Sequence, residues 1–188
     1  MWNNEMLSAR IFEIIVGKSI NYNELNRDKW VEHQLSLIPT GKKIIDVGAG
    51  ECKYKKFCSH LNYVSQDFCQ YNGNNSDDGL QTGKWDVSQI DIVSDITDIP
   101  VEDGSFDVIL CTEVFEHIPH PEKALMEFQR IMKKGGLLIL SAPFASWTHF
   151  APYHYCTGFN SYWYRTILKE YGFEVKICKP NGNYYYLT

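Results

Sequence analysis

Short β-rich runs alternate along the chain with longer stretches whose apolar residues recur at helical spacing. The helical stretches span residues 5–16, 24–38, 121–134 and 161–171. The β-rich runs span residues 44–47, 62–67, 90–94, 106–111, 137–141 and 173–178. Strands that alternate with helices are typical of βαβ units, because parallel strands need a crossover connection. The pattern therefore predicts an α/β protein with a mostly parallel sheet.

Turn residues mark where several of these elements end. The helix after the fourth strand is predicted to begin near Pro121 and to end at Gly135, with Lys133 in its last turn. A further helix is predicted over 51–60. Residues 69–88 are rich in Asn, Gly and Asp, and we expect them to form a surface loop.

The length and composition fit one compact domain. The chain has 188 residues, 44% of them hydrophobic and 22% charged, close to the average of globular proteins. Glu5, Arg10 and Glu13 interrupt the first apolar residues, so no export signal is expected. Every apolar run is far shorter than the roughly 20 residues that cross a bilayer. We therefore expect a soluble protein with no membrane partner.

Charge and cysteine content narrow the partners and the compartment. The net charge is −5, so the chain offers no basic field that would recruit nucleic acid through its phosphates. The six cysteines form no C-x-x-C pair, and four of them lie in or beside apolar runs, as buried reduced thiols do. We expect a cytoplasmic protein that does not bind nucleic acid. The sequence does not indicate an oligomeric state.

The end of the first predicted strand is the most informative segment. Asp46 is followed by Gly48 and Gly50, a pattern that lets the backbone pack against a ligand with no Cβ in the way. This arrangement favours a nucleoside cofactor, although a glycine turn between any strand and helix looks similar. Lys53 stands where the dinucleotide motif has its third glycine, so NAD fits poorly.

Two further carboxylates follow the next two predicted strands. Asp67 ends the second strand, where α/β nucleotide folds bind ribose hydroxyls, and Asp95 ends the third, where it can accept from an exocyclic amine. Each alone is also typical of a turn or a helix cap. Because Asp46, Asp67 and Asp95 all fall at the carboxyl ends of successive strands, a ligand site is favoured over coincidence.

With these residues in place, the chain resembles the class I S-adenosylmethionine-dependent methyltransferases, in particular the small-molecule group called type 11. The matching pieces are, in chain order, 46–50, Asp67, 95–100, 103–109 and 134–139. The resemblance covers about residues 43–175 and implies a Rossmann-like, doubly wound sheet with helices on both faces. It implies that 1–40 form N-terminal helices capping the cofactor site. Residues 41–188 would form the core, with an acceptor-site insertion around 142–165.

The resemblance also assigns the cofactor site. The implied cofactor residues lie at the ends of the first four strands: Asp46, Gly48, Gly50, Asp67, Phe68, Asp95, Ile96 and Thr112. The two glycines would face the methionyl part of S-adenosylmethionine, Asp67 the ribose and Phe68 the adenine ring, whose edge would meet Asp95 and Ile96. S-adenosylhomocysteine would be the product. Cys52 stands where the family usually has a third glycine. The chain also ends before a convincing seventh strand, and this second departure suggests a truncated form of a longer protein.

Glu113, Glu116 and His117 follow the fourth predicted strand as E-x-x-E-H. On one helical turn these side chains would share a face and could hold Mg²⁺ or another divalent ion. The pattern resembles one that contributes to a metal site in some methyltransferases, and it is also common in type 11 relatives with no known metal. The alternative to metal binding is that Glu116 caps a helix and His117 packs against its neighbours. We therefore predict no metal, and methyl transfer that survives chelation.

An aromatic segment over 147–164 follows the fifth predicted strand. Aromatic walls with a few polar groups describe a small-ligand pocket, and a satellite core beneath a long loop is the alternative. The segment contains His149 and His154, and an imidazole with an ordinary pKa near 6.5 suits a proton acceptor at neutral pH. With His117 they are the candidate catalytic bases.

These features favour a methyltransferase that acts on a small molecule. Much of the catalysis of methyl transfer can be orientation of the nucleophile, with deprotonation of a hydroxyl supplying the rest. We expect O-methylation of a sugar-like or phenol-like hydroxyl, and N-methylation remains open. One rival is a nicotinamide-dependent oxidoreductase, which Lys53 and the lack of a Tyr-x-x-x-Lys pair disfavour. Another is a cofactor-binding scaffold without activity.

Overall fold

The computed structural model describes residues 22–71, 73 and 79–181. Its helices are α1 (Tyr22–Ser36), α2 (Pro121–Ile131) and α3 (Ser161–Glu170). Its strands are β1 (Lys43–Val47), β2 (Asn62–Asp67), β3 (Ile92–Val93), β4 (Phe106–Thr112) and β5 (Met132–Ser141). The helix predicted over 5–16 lies outside the described residues, as does part of the loop predicted over 69–88.

The five strands form one sheet in the order β3-β2-β1-β4-β5, and each neighbouring pair is parallel. At the centre, Ile45 of β1 pairs with Val64 of β2 and with Ile109 of β4. The strand order reverses between β1 and β4, the place where open α/β sheets bind ligands at their carboxyl edge. The predicted parallel α/β fold is confirmed.

Alternate residues of the central strands point to opposite faces of the sheet, which gives the molecule two hydrophobic layers. The layer that includes α1 contains Val31, Leu35, Ile44, Val108 and Leu110. The layer that includes α2 and α3 contains Ile45, Val47, Ile109, Leu125, Phe128 and Leu168. Helices therefore cover both faces, as predicted. Within the described ranges, each helix is too short or too polar to pass through a bilayer.

The helix predicted over 51–60 is wrong. In this part of the structure only Lys55–Phe57 forms a helical turn, and it is a 3-10 turn. Cys52 has a φ of +56°, a left-handed conformation that an α-helix does not contain. Backbone N–H groups here donate to carbonyls three residues earlier, from Lys55 to Cys52 and from Cys58 to Lys55. A series of tight turns therefore connects β1 to β2.

The predicted end of α2 at Gly135 is also wrong, because the helix stops at Ile131. Met132 is already extended and pairs with Phe106 of β4, which places Lys133 in β5 rather than in a helical turn. The β4–β5 register then shifts before the regular pairing resumes. Phe106 is the first residue of β4, so β5 pairs with β4 from its first residue.

Residues 173–178, predicted as a strand, pair with no other strand in the ranges that the structure describes. The N–H of Phe173 donates instead to the carbonyl of Leu168 at the end of α3, at 2.8 Å. Phe173 and Val175 pack against the α2–α3 layer. The alternation of apolar residues therefore reflects packing on the core and not backbone pairing.

Candidate active site

The glycine turn after β1 is fastened to the end of β2 by three backbone donors. The N–H groups of Gly48 and Ala49 donate to the carbonyl of Gln66 at 2.8 and 2.9 Å, and the N–H of Gly50 donates to Oδ2 of Asp67 at 2.9 Å. Gly48 and Gly50 have φ values of +70° and +52°, which favour glycine. The turn is thus a fixed backbone surface at the carboxyl edge of the sheet.

Two side chains lie directly against this turn. A Cβ added at Gly48 would overlap the side chain of Val114, and one added at Gly50 would lie 2.9 Å from the ring of Trp85. Trp85 reaches the turn from the long loop that precedes β3. The sequence analysis did not identify either residue, because their positions depend on the path of loops.

Asp46 of β1 is buried, with 2% of its surface exposed. Its Oδ2 accepts a hydrogen bond of 2.7 Å from the hydroxyl of Tyr63 in β2. Burial, with a smaller contribution from the charge of the nearby Asp67, raises the pKa of Asp46 to about 7. In this structure Asp46 ties β1 to β2, and its predicted role towards the cofactor stays a prediction.

Asp67 and Phe68 lie at the end of β2. Besides the Gly50 bond, Asp67 accepts from the N–H of Cys69 at 2.8 Å through Oδ1. Each carboxylate oxygen has a second lone pair, so these two bonds leave acceptor capacity for a ligand hydroxyl. The Phe68 ring contacts the Tyr153 ring edge-on, with 5.0 Å between centroids. The structure thus places the two residues beside the turn, as their positions predicted.

The residues that end or follow β3 and β4 have partners within the protein. Asp95 is exposed, and its Oδ1 accepts from the N–H and hydroxyl of Thr97 at 2.8 and 2.7 Å, the turn geometry that was the alternative for it. Ile96 is buried in the α2–α3 layer. Thr112 ends β4 and pairs with Ser141 of β5. Their cofactor contacts stay predictions.

Glu113 separates from the other two members of E-x-x-E-H. Its backbone is left-handed, with a φ of +54°, so the motif does not begin a regular helix. Its carboxylate accepts from the hydroxyl of Ser141 at 2.9 Å and pairs with Arg27 of α1 at 3.0 Å. Arg27 thus joins α1 to the rim of the site. No motif in the sequence identified it.

Glu116 and His117 remain together in the 3-10 turn Phe115–His117. Glu116 is 1% exposed, and burial together with the Glu113 charge raises its pKa to about 8. His117 Nδ1 lies 2.6 Å from the carbonyl oxygen of Tyr153. Burial lowers the pKa of His117 to about 4, so its ring is neutral at physiological pH.

Three histidine rings meet at this point. The centroid of the His149 ring lies 4.6 Å from that of His117 and 4.8 Å from that of His154. The centroids of His117 and His154 are 6.0 Å apart. We call His117, His149 and His154 the histidine cluster. The structure therefore brings together all three histidines that the sequence proposed as bases.

Hydrogen bonds fix which nitrogen of each cluster ring carries the proton. Carbonyl oxygens only accept, so His117 Nδ1 donates to Tyr153 and His149 Nδ1 donates to the carbonyl of Trp147 at 2.8 Å. Ser146 donates its single proton to the carbonyl of Thr157 and therefore accepts from His154 Nε2 at 3.1 Å. Each neutral ring is left with one unprotonated nitrogen: Nε2 of His117 and His149, and Nδ1 of His154.

Aromatic side chains connect the histidine cluster to the glycine turn. The Phe150 ring lies 4.9 Å from His117 and 5.0 Å from Trp85, which covers Gly50. Phe159 and Trp163 instead pack with the buried Phe115. Part of the aromatic segment thus extends the core, as the alternative predicted, and its role as a ligand pocket stays a prediction.

Known proteins with similar sequences share a part of this chain that includes the central strands. Residues 45–140, just over half of the chain, match a family model described as a methyltransferase domain. The chain is 26% identical over 126 residues to a ubiquinone biosynthesis O-methyltransferase of Dechloromonas aromatica, covering 61% of this chain and 49% of that protein. It is 23% identical over 167 residues to one of Coxiella burnetii, covering 85% and 61%. The chain spans about half the length of the first of these relatives.

Solved structures share the fold. A candidate methyltransferase of Bacillus halodurans C-125 superposes with a TM-score of 0.54 at 20% identity, over 78% of this chain and 66% of that one. Phosphoethanolamine N-methyltransferase 2 of Haemonchus contortus, solved with S-adenosyl-L-methionine, gives 0.53 at 18% identity, over 78% and 36%. At these identities the likeness shows the fold alone.

Proposed function

Since the chain belongs to the methyltransferase domain family, we propose that it transfers the methyl group of S-adenosylmethionine to a hydroxyl of a small, ring-shaped acceptor, sugar-like or phenol-like. The family and the cofactor are those that the sequence predicted. S-adenosylhomocysteine is then the second product. Oxygen is favoured over nitrogen because the curated relatives at 26% and 23% identity are O-methyltransferases.

The cofactor side of the proposal rests on the glycine turn and on Asp67. The turn presents backbone without a Cβ at the point where the strand order reverses. Asp67 retains lone pairs for a ribose diol, because its two bonds come from backbone N–H groups that hold it in place. Lys53 pairs with Glu24 and Asp28 of α1, at the position where a dinucleotide fold needs glycine. This pairing further disfavours the oxidoreductase rival.

The acceptor side rests on the histidine cluster, the single observation that carries the proposal. An imidazole removes a proton only through an unprotonated nitrogen, and each ring of the cluster has one in a fixed tautomer. His117 is a weak base because burial lowers its pKa to about 4. Burial and the neighbouring His149 also lower the pKa of His154, but His154 is less buried than His117. We therefore assign proton abstraction to His154 first, with His149 beside it. The aromatic wall formed by Phe150 and Tyr153 suits a planar acceptor.

An acceptor screen that measures S-adenosylhomocysteine release tests this proposal. We expect release to depend on a sugar or phenol and to fall by about 100-fold or more in His154→Ala. His33→Ala is the matched control, because His33 is an exposed histidine of α1, and its rate should stay unchanged. Release with no acceptor in a broad hydroxyl and amine screen would support the inactive scaffold instead. Equal rates in the two variants would move the base elsewhere.

A further inference from the structure

We propose that Trp85 is a positioning residue that couples the cofactor side of the site to the histidines on its acceptor side. Trp85 belongs to residues 79–86, which we call the strap, and the strap runs from the glycine turn to residues 147–154. Residues 147–154 are called the histidine loop, because they carry His149 and His154. The proposal rests on the proposed function, which places the cofactor on the turn and the acceptor at the histidines.

One end of the strap lies on the glycine turn. The ring of Trp85 is so close to Gly50 that a Cβ added at Gly50 would lie 2.9 Å from it. Nε1 of Trp85 donates to Oγ1 of Thr82 at 3.1 Å, which fixes the orientation of the indole within the strap. The N–H of Asp86 donates to Oε1 of Glu51 at 3.0 Å. A cofactor bound against Gly50 would therefore contact this ring or displace it.

The other end of the strap pairs with the histidine loop. The N–H of Leu80 donates to the carbonyl of Thr148 at 2.9 Å, and the N–H of Phe150 donates to the carbonyl of Leu80 at 3.0 Å. His149 lies between these two bonds and forms a parallel bridge with Leu80. The strap therefore holds the backbone of His149 in place.

Aromatic packing joins the two ends of the strap. The ring centroids of Trp85 and Phe150 are 5.0 Å apart, and the Tyr71 ring lies 5.4 Å from Trp85 and 4.7 Å from Phe150. Rings at these distances attract each other beyond the effect of burial alone. Tyr71 is buried, and its hydroxyl donates to Oε1 of Gln81 at 2.8 Å and accepts from the N–H of Thr82 at 3.2 Å. Because the three rings pack together, a shift of Trp85 moves Phe150, the neighbour of His149.

This arrangement predicts that two binding events are coupled. A ligand that fixes a segment reduces its conformational freedom, and a second ligand that contacts the same segment then has less ordering to oppose its binding. A cofactor on the turn would fix Trp85 and, through Phe150, the histidine loop. The acceptor would then bind to a loop that is already in place. Such coupling is reciprocal, so the acceptor would strengthen cofactor binding by the same factor.

Hydrogen–deuterium exchange of the full chain, with and without S-adenosylhomocysteine, tests the coupling without an acceptor. We expect the ligand to slow exchange at the glycine turn, in the strap and in the histidine loop, the last by about 5-fold or more. Each protein is measured at a saturating ligand concentration. In Trp85→Ala the turn should still be protected, whereas the histidine loop should exchange at its ligand-free rate. Trp85→Phe keeps a ring between Gly50 and Phe150 and should restore protection of the loop.

Two controls accompany these variants. Leu80→Ala shortens a strap side chain that is 60% exposed and keeps its backbone bonds, so the histidine loop should be protected as in the wild type. Unchanged exchange in β4, a mostly buried strand, establishes that each variant folds.

Two results would overturn the coupling and leave the proposed function standing. The first is a wild-type chain in which the ligand protects the glycine turn and not the histidine loop. The second is equal protection of that loop in the wild type and in Trp85→Ala. A wild-type chain with no protection at the turn would instead contradict the proposed cofactor site, and the coupling with it.

Discussion

At the residue scale, Gly48 and Gly104 share a backbone conformation and differ in their surroundings. Gly48 has a φ of +70° and lies against Val114, whereas Gly104 has a φ of +61° and nothing within 4 Å of a Cβ added there. A left-handed conformation costs a residue with a Cβ about 1–2 kcal/mol. The two glycines therefore separate the cost of backbone conformation from the cost of lost space.

Gly104→Ala should lower the free energy of unfolding by about 1 kcal/mol and leave affinity for S-adenosylhomocysteine unchanged. Gly48→Ala should lower the free energy of unfolding further and weaken that affinity, because the new Cβ displaces Val114 from the glycine turn. Urea unfolding and ligand titration measure the two effects. Equal affinity in both variants would mean that the cofactor does not contact this turn.

Asp46 makes stability depend on pH with an unusual sign. Its pKa is about 7 in the folded protein against an ordinary 3.8, because it is buried. Between these values the folded state holds a proton that the unfolded state releases, so this group's contribution is fully present below about pH 4 and is lost as pH rises through 7. Asp46→Asn retains a partner for Tyr63 and removes the titration.

The free energy of unfolding of Asp46→Asn, minus that of the wild type, should therefore rise between about pH 4 and pH 7. The rise is at most about 4 kcal/mol. Denaturant unfolding of both proteins across this range measures it. A difference that is independent of pH, or one that falls as pH rises, would contradict the burial of an ionisable Asp46.

At the scale of elements, α3 begins at a side-chain cap. The Oδ1 of Asn160 accepts from the N–H groups of Tyr162 and Trp163 at 3.0 and 2.9 Å. These are two of the donors that a helix N-terminus leaves without an intrahelical partner. The cap fixes where the aromatic segment turns from the loop that carries the histidine cluster into a helix.

Asn160→Ala should lower the free energy of unfolding by about 1 kcal/mol, since it removes this cap. Asn160→Asp keeps an acceptor at the helix N-terminus and should remain close to the wild type. Thermal or urea unfolding of the three proteins provides the comparison. An equal loss of unfolding free energy in Asn160→Asp would contradict this, because it would show that stability depends on the amide group and not on the oxygen acceptor of the cap.

The elements differ in how far their sequences determine them. The strand predicted over 62–67 has those bounds in the structure, because its partners on both sides enforce the register. The segment 51–60 has helix-compatible residues, yet Cys52 is left-handed and the segment forms tight turns. The start of β5 depends on the length of β4, and residues 173–178 find no partner strand among the described residues. Pairing across the sheet is not encoded locally, so these bounds could not be predicted.

At the scale of the whole molecule, the parallel sheet collects the site at one edge. Asp67, Glu113 and Ser141 follow or end different strands, yet hydrogen bonds connect them to the glycine turn or to each other. Sequence spacing predicted this edge, since parallel strands place their carboxyl ends together. It could not predict Arg27 or the carbonyl of Tyr153, because those contacts depend on how α1 and a long loop pack.

Asp67→Ala should weaken S-adenosylhomocysteine binding by about 1–3 kcal/mol, because ribose hydroxyls lose an acceptor and Gly50 loses its hydrogen bond. Asp98→Ala is a matched control, since Asp98 is an exposed carboxylate on the loop after β3. It should bind like the wild type. Affinity that is unchanged in Asp67→Ala would place the ribose elsewhere.

The most direct test of the cofactor site is calorimetric titration of the wild-type chain with S-adenosylhomocysteine and, separately, with NADH. The glycine turn, Asp67 and the ion-paired Lys53 together predict saturable binding of S-adenosylhomocysteine at one site and no measurable heat with NADH. The opposite result, binding of NADH with no binding of S-adenosylhomocysteine, would contradict the assignment of this site.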